Sequence, residues 1–233
     1  MIQAFEWLKH QFEITFIVDN RYKLFVTGIT NTFTITIGAL IIGIVLGALV
    51  AIVRVYNARY GRMKILNAIC GAYLAIFRGT PIVVQLLIMY YIIFVFINNG
   101  IIIAIIAFGI NSGAYVAEVV RAGIMAVDIG QTEAGRSLGL SQNKTMRLIV
   151  LPQAIKNILP ALGNEFITLL KETSVAGYVA IRDLTRAGEN IRVLTMEPYF
   201  SLLFVALIYF LIVMLITRLL RLLERRLSRS DRS

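Results

Sequence analysis

Polar side chains recur at helical spacing inside two otherwise apolar stretches of this sequence. The first stretch carries them at positions i, i+4 and i+7, at Asn111, Tyr115 and Glu118. The second carries them at positions i, i+3 and i+7, at Glu165, Thr168 and Glu172. Positions with these spacings share one face of an α-helix. Because a charged side chain in hydrocarbon costs at least about 2.5 kcal/mol, we expect the two faces to meet around a water-accessible cavity that offers carboxylates, hydroxyls and amides to a polar solute.

The carboxylates on these faces also have explanations that involve no ligand. Arg121 lies three residues after Glu118, so the two predict an ion pair that closes the helix bundle. Glu165 has no cation three or four residues away on its own helix, which makes it the better candidate for a ligand carboxylate. The alternative is that Glu165 reaches back to the membrane interface. Glu172 is ambiguous, because the adjacent Lys171 points to a different face.

The composition identifies an integral membrane protein. The 233 residues are 58% hydrophobic and only 15% charged, and their mean hydropathy is +0.80. One histidine (His10) and one cysteine (Cys70) are too few for a zinc site, a Ser-His-Asp triad or a disulfide framework. The sequence also has no G-x-x-x-x-G-K phosphate loop, so we expect neither catalytic nor metal-binding residues in this chain.

Five apolar segments predict an all-α membrane protein with five transmembrane helices. They are Leu24–Val53, Arg62–Ile97, Ile101–Val127, Gly163 to about Ile181, and Tyr199–Leu220. The second segment is too long for one straight crossing, and Gly79 and Pro81 interrupt it. We predict one bent span there, in which Arg78 caps the end of a half-helix; contact with an anionic ligand group is the alternative. Glycine and alanine at 39, 43, 47 and 51 predict close helix packing in the first span.

Residues 1–23 precede the first span and carry apolar residues at helical spacing among polar ones. These residues, which predict a helix lying in the outer interface of the membrane, are Ile2, Phe5, Leu8, Phe12 and Phe16. Residues 24–220 form the predicted transmembrane domain, and residues 221–233 form a basic tail.

The distribution of charge predicts the orientation of the spans. The net charge is +10, and under the five-span topology the inner segments hold 14 basic and four acidic residues, whereas the outer segments hold six of each. Basic residues accumulate on the cytoplasmic side of membrane proteins, so we expect the N-terminus outside and the C-terminus in the cytoplasm. Because topology accounts for the whole positive excess, nucleic-acid binding is excluded.

The segment 128–162 is too polar to cross the membrane and too poor in glycine and serine to be a flexible linker. Two short helices are predicted in it, Glu133–Ser137 and Ser141–Val150. Gly139 can supply the positive φ at which the first helix stops, and Ser141 can cap the second. The segment is either a stiffened connector or a docking element for a soluble partner.

This segment resembles the EAA loop of ATP-binding-cassette (ABC) importer permeases. The matching residues are Glu133-Ala134-Gly135, then Gly139, then Ile149 and Leu151-Pro152, with Gly135 where the common pattern has a second alanine. Other stretches resemble the polar amino acid uptake branch: Phe77-Arg78-Gly79-Thr80-Pro81, Ala114-Tyr115 to Ala122-Gly123-Ile124, and Leu151-Pro152-Gln153-Ala154. The resemblance runs from about Tyr22 to Arg221.

The resemblance implies a type I ABC importer permease subunit in the cell membrane of a prokaryote. It implies a second permease subunit, identical or similar, and two separate ATPase subunits that bind ATP with Mg²⁺ and carry out all hydrolysis. A binding protein outside the membrane would deliver the amino acid. The coupling residues implied on the loop are Glu133, Ala134, Gly135 and Gly139.

The uncompensated charge of Glu165 favours a cationic amino acid, such as arginine, lysine or histidine, while glutamine and cystine remain open. In that reading the cavity residues that bind substrate are Arg78, Asn111, Tyr115, Glu118, Glu165, Thr168 and Glu172. One alternative is a transporter driven by an ion gradient, because buried carboxylates and broken helices also serve proton and ion coupling. Another is a scaffold or sensor that uses the loop to dock a partner without transport.

Overall fold

The computed structural model describes residues 2–229, and all regular structure in that range is helical. The α-helices are α1 (Ile2–Phe12), α2 (Tyr22–Tyr60), α3 (Lys64–Gly79), α4 (Ile82–Ile88), α5 (Gly100–Met125), α6 (Ile129–Ser137), α7 (Gln142–Thr145), α8 (Leu151–Glu172), α9 (Leu184–Thr195) and α10 (Pro198–Arg229). Single π-helical turns occur at Glu13–Ile17, Met89–Ile93 and Met146–Val150, and 3₁₀ turns at Val18–Asn20 and Thr173–Val179.

Three of the described helices are long and apolar enough to cross a membrane: α2, α5 and residues Pro198–Arg225 of α10. They correspond to the predicted first, third and fifth spans. The predicted bend in the second span is confirmed, because α3 meets the segment Ile82–Ile93 at an angle of 108°. At the bend Thr80 and Pro81 are extended, with φ/ψ of −123°/147° and −65°/136°. A proline disfavours helical backbone in the residue before it, which explains why the helix breaks here.

The predicted fourth span lies in α8 and the 3₁₀ turn that follows, and the helix that contains it begins before Gly163. α8 starts at Leu151, directly after the π-helical turn Met146–Val150, so the last third of the segment 128–162 is helix continuous with the membrane-directed part. Pro152 lies next to this π-helical turn, and Pro160 lies inside α8 without ending it. Among the described residues, α8 is not apolar enough to count as a membrane span by the length and mean hydropathy that identify α2, α5 and α10, in keeping with its polar sequence.

The stripe of small residues on α2 packs against α5, as predicted. Ala39 and Ala51 are fully buried. A Cβ added at Gly43 would lie 2.9 Å from the hydroxyl of Ser112, and one added at Gly47 would lie 2.7 Å from Val116. These backbones approach so closely that glycine is required at both points, which places α5 in the centre of the bundle.

The N-terminal segment folds against the ends of α2 and α10 through aromatic rings. The ring of Phe16 lies 4.6 Å from that of Phe204 and 5.5 Å from that of Phe25. Phe5, Leu8 and Phe12 remain half or more exposed, which leaves an apolar face on α1. The side chain of Ile2 and residues 230–233 of the predicted basic tail lie outside the described part of the chain.

Candidate functional site

Glu165 joins α8 to α5 through a residue that lies outside the predicted polar face of α5. Its Oε1 accepts a hydrogen bond of 2.9 Å from the hydroxyl of Ser112, which joins α8 to α5. Ser112 is completely buried, whereas Glu165 keeps part of its surface open. Ser112 was not among the predicted site residues, because a serine is small and common in apolar helices. Its position directly after Asn111 is the feature of the sequence that could have indicated it.

Two further polar residues share the Glu165 face of α8. Thr168 is exposed, and Glu172 is half-buried two turns away from Glu165. The charges of Glu165 and Glu172 repel each other, and only the neighbouring Lys171 offsets part of the charge of Glu172. Among the side chains that the structure describes, no lysine, arginine or histidine forms an ion pair with either carboxylate. This face therefore presents two carboxyl groups without an ion-pair partner.

Arg78 and Tyr115 come together although they lie on different helices. The guanidinium carbon of Arg78, in the last turn of α3, is 5.6 Å from the ring centroid of Tyr115 on α5. A guanidinium over an aromatic face is a favourable cation–π arrangement. Both side chains are exposed, so the nitrogen atoms of Arg78 stay accessible beside the helix break.

Asn111 is occupied within the protein and holds the helix break in place. Its Nδ2 donates to Oε1 of Gln85 at 2.8 Å and to the carbonyl of Phe77 at 3.1 Å. Gln85 in turn donates to the hydroxyl of Thr80 at 2.7 Å and to the Thr80 carbonyl at 3.0 Å. Asn111 is 3% exposed and Gln85 is 6% exposed. Gln85 was not among the predicted site residues. It is a lone amide in the apolar run that follows Pro81, and this is the feature of the sequence that could have indicated it.

Glu118 forms the ion pair that the sequence predicts. Its Oε2 lies 2.8 Å from a guanidinium nitrogen of Arg121, and both side chains are partly buried. Arg78 and Arg54 also attract this carboxylate at longer range. The predicted site residues thus form two groups, with Arg78, Asn111, Tyr115 and Glu118 around the helix break, and Glu165, Thr168 and Glu172 along α8.

The loop between α5 and α8 is helical, as the sequence predicts, but the helices have other bounds. The first begins at Ile129, four residues before the predicted Glu133, and the second runs from Gln142 through the π-helical turn Met146–Val150 directly into α8. α6 ends at Ser137, and Gly139 has a φ of +82°, the left-handed conformation expected at the stop. A Cβ at Gly135 would lie 2.7 Å from Thr145 and 2.8 Å from Ile149, so glycine permits α6 to pack on the second helix. Ser141 occupies the N-cap position of α7, but its side chain accepts no capping hydrogen bond, unlike the prediction.

The outer surface of this loop is available to another protein. Glu133 and Ala134 are exposed on α6, and Leu138 directly after α6 is 82% exposed. Ala134 and Leu138 are four residues apart and therefore lie on one face. An acidic group beside exposed apolar side chains is a suitable docking surface.

A buried polar cluster at the far end of the bundle was not predicted. Asp183 is completely buried and caps α9, where its carboxylate accepts hydrogen bonds from the backbone N–H of Thr185 at 2.8 Å and of Arg186 at 3.2 Å. Burial raises the pKa of Asp183, although these hydrogen bonds oppose the rise. Thr185 also shares a hydrogen bond of 3.3 Å with the hydroxyl of Tyr209 on α10. The cluster fixes α9 against α10.

Comparison with known proteins gives consistent matches over nearly the whole chain. Residues 43–229 match the family described as binding-protein-dependent transport system inner membrane component. The arginine transport system permease protein ArtQ of Bacillus subtilis is 35% identical, over 88% of this chain and 92% of ArtQ. A Rickettsia prowazekii protein, provisionally named as the glutamine permease GlnP, is 36% identical over 94% of this chain and 96% of its own length.

A solved structure agrees with these sequence matches. A chain in the crystal structure of an amino acid ABC transporter with histidines is 40% identical to this chain and superimposes with a TM-score of 0.82. The alignment covers 91% of this chain and 98% of that chain. The helical membrane fold is that of a type I ABC importer permease. The chain belongs to the family of binding-protein-dependent transport system inner membrane components, and within it to the amino acid permeases.

Proposed function

We propose that this permease imports cationic amino acids, with arginine, lysine and histidine as the substrate class. The observation that carries the proposal is the half-buried carboxylate of Glu165, whose hydrogen bond is to the neutral hydroxyl of Ser112. A carboxylate without a basic partner gains most from a cationic ligand, because a buried charge is costly until it is paired. Glu172 adds a second negative charge on the same helix face, and Thr168 adds a hydroxyl.

In this proposal Arg78 binds the α-carboxylate of the same substrate. Its guanidinium lies over the Tyr115 ring and forms no ion pair among the described side chains. Asn111 and Glu118 contribute indirectly in this scheme. Asn111 holds the helix break that carries Arg78, and Glu118 with Arg121 balances the charge of α5.

In this proposal, the energy for transport comes from two ATPase subunits that bind ATP with Mg²⁺. Each ATPase subunit docks on the loop between α5 and α8 of one permease subunit. Glu133 and Ala134 provide exposed contacts, Gly135 lets α6 pack on the second helix, and Gly139 ends α6. The complex contains a second, identical permease subunit and receives substrate from an amino-acid-binding protein outside the membrane. The N-terminus lies outside and the C-terminus in the cytoplasm of a prokaryotic cell, as the basic inner segments require.

The substrate proposal is tested on the purified permease–ATPase complex without the binding protein, because the binding protein has a selectivity of its own. Calorimetric titration would compare arginine, histidine and glutamine in wild type, Glu165→Gln and the control Glu6→Gln, which makes the same change on the exposed face of α1. We expect Glu165→Gln to weaken arginine and histidine binding by at least about tenfold. Equal weakening of glutamine, or an equal effect of Glu6→Gln, would refute the cationic assignment.

The energy source is tested by uptake into proteoliposomes that contain the full complex and its binding protein. Uptake that requires internal ATP and persists when ionophores abolish ion gradients supports the proposal. Uptake that follows an imposed ion gradient without ATP would favour the alternative transporter. The family match supports the ATP-driven mechanism, because its members are components of binding-protein-dependent transport systems.

A further inference from the structure

A pocket of about 270 Å³ lies beside the C-terminal end of α2, where the loop helices meet the transmembrane bundle. Its walls are mainly apolar and come from four parts of the chain: Ile52, Val55 and Tyr56 on α2, Ile124 on α5, Met146 in the loop and Leu151 on α8. A second pocket of about 230 Å³ adjoins it and shares Val55, Arg59 and Ile124. The two pockets form one apolar cleft along α2.

Arg59 is the single charged residue that lines this cleft. Its side chain is exposed, and among the described residues it has neither a carboxylate partner nor a hydrogen bond. The amides of Gln142 and Asn143 lie on the loop side of the same pocket. The rim is therefore basic and polar, while the interior is lined by apolar side chains.

The cleft lies at the level of a membrane surface. α2 has 39 residues, which at about 1.5 Å per residue is far longer than a hydrocarbon core of about 30 Å, so its last turns emerge into the interface. The rings of Tyr56 and Tyr60 are in contact in these turns, with centroids 4.6 Å apart and planes tilted by 44°, and tyrosine is typical of the interface.

We propose that this cleft binds an anionic phospholipid of the cytoplasmic leaflet. One acyl chain lies along Ile52, Val55 and Ile124, and the phosphate accepts hydrogen bonds from Arg59 with help from Gln142 and Asn143. Basic pockets between transmembrane helices on the cytoplasmic side suit such lipids. Inorganic phosphate would leave the apolar walls unfilled. The assignment to the cytoplasmic leaflet rests on the proposed orientation, whereas binding itself does not.

A comparable apolar groove between α2, α8 and α10 lacks this complementarity. Its lining includes Leu40, Phe166 and Leu220, with Glu224 as its charged residue. A carboxylate at that position repels a lipid phosphate. The combination of apolar walls with an unpaired arginine thus distinguishes the cleft beside Arg59. A lipid there touches both the transmembrane helices and the loop between α5 and α8.

The experiment is native mass spectrometry of the delipidated permease–ATPase complex, titrated with phosphatidylglycerol or with phosphatidylcholine. Arg59→Gln is compared with Arg62→Gln, which removes the same charge three residues away but outside the cleft. We expect Arg59→Gln to lower phosphatidylglycerol affinity about fivefold, with Arg62→Gln close to wild type. Equal losses in the two variants, or equal affinity of wild type for phosphatidylcholine, would overturn the proposal.

A second pair of variants tests the acyl-chain site at positions that tolerate large side chains. Ile52 and Leu49 are 59% and 58% exposed, and of the two only Ile52 lines the cleft. Ile52→Trp fills the cleft and should abolish the phosphatidylglycerol adduct, whereas Leu49→Trp should retain it. Retention of the adduct in Ile52→Trp would refute the site. Absence of a phosphatidylglycerol adduct from the wild-type permease–ATPase complex would also refute it.

Discussion

The hydroxyl of Ser112 donates a hydrogen bond of 2.9 Å to Oε1 of Glu165, and this contact joins α5 to α8. The same hydroxyl lies 2.9 Å from the position of a Cβ on Gly43 of α2, so three helices meet at this point. A ligand cation that binds Glu165 would do so beside the central packing contact of the bundle. A change in the charge of Glu165 would therefore act directly on the contact between α5 and α8.

Ser112→Ala should destabilise the permease and couple to changes at Glu165. A hydrogen bond to a charged group contributes about 1.5–3 kcal/mol, and its loss leaves a carboxylate oxygen without a donor. Unfolding in a denaturing detergent would be measured for Ser112→Ala, Glu165→Gln and the double variant. The control Ser137→Ala removes an exposed hydroxyl at the end of α6. Simple additivity of the two single effects would show that the contact contributes nothing.

Asn111→Ala should release the helix break from α5. The change leaves the Gln85 amide oxygen without its donor, at a cost of about 1–3 kcal/mol, whereas the Phe77 carbonyl keeps a hydrogen bond of 3.0 Å from the Gln85 amide. We expect a lower melting temperature together with faster proteolysis near residues 78–81. Asn164→Ala, at an exposed position of α8, serves as the control. A melting temperature equal to that of the control would contradict the role assigned to Asn111.

Gly139→Ala should weaken the coupling of ATP hydrolysis to transport. A residue other than glycine in the left-handed region costs roughly 1 kcal/mol or more, and here the strain falls on the end of α6. Gly61 provides a matched control, because it also has a positive φ, of +66°, and also has open space around it. The ratio of amino acid transported to ATP hydrolysed should fall for Gly139→Ala alone. A fall of the same size for Gly61→Ala would indicate a general loss of stability.

Gly135→Val should separate the two loop helices. The added side chain would meet Thr145 and Ile149, where a Cβ alone already lies within 2.8 Å of both. Overpacking of this kind costs typically about 1–3 kcal/mol. We expect faster hydrogen exchange across residues 129–150 and loss of ATPase binding, with the exchange of α5 unchanged. Wild-type exchange in the loop would contradict the packing role of Gly135.

Asp183→Asn should remove part of the pH dependence of stability. Because burial raises the pKa of Asp183, the folded protein binds this proton more tightly than the unfolded chain. Its contribution is therefore most favourable below the ordinary carboxyl value of about 4 and declines as pH rises through the raised pKa. Asparagine caps helices about as well as aspartate, so Asp183→Asn keeps one of the two acceptor oxygens that cap α9.

The measurement for Asp183 is the melting temperature as a function of pH in wild type and Asp183→Asn. The melting temperature of Asp183→Asn minus that of the wild type should increase as pH rises from about 4. The reason is that the Asp183 carboxyl contributes less to the stability of the wild type as it loses its proton in the folded protein. A constant difference across this range would show that the protonation of Asp183 does not contribute.

Much of the fold could be predicted from the sequence because membrane insertion depends on local properties. The apolar spans of α2, α5 and α10 are long enough to be recognised by hydropathy alone. The break at Pro81 and the stop at Gly139 follow from backbone sterics within one or two residues. The pair of Glu118 and Arg121 was predictable for the same reason, since both lie on one helix at i, i+3.

The partners of the remaining polar residues were decided only by the tertiary structure. Ser112 meets Glu165 over a separation of 53 residues, and Asn111 meets Gln85 over 26. Helical periodicity places a side chain on a face but does not say which neighbouring helix that face contacts. The start of α8 was missed for a related reason, because the polarity of residues 128–162 shows where a span cannot lie but not where a helix begins. Sequence thus determined which polar groups lie in the apolar segments, and packing of the helices determined which of them find hydrogen-bond or ion-pair partners.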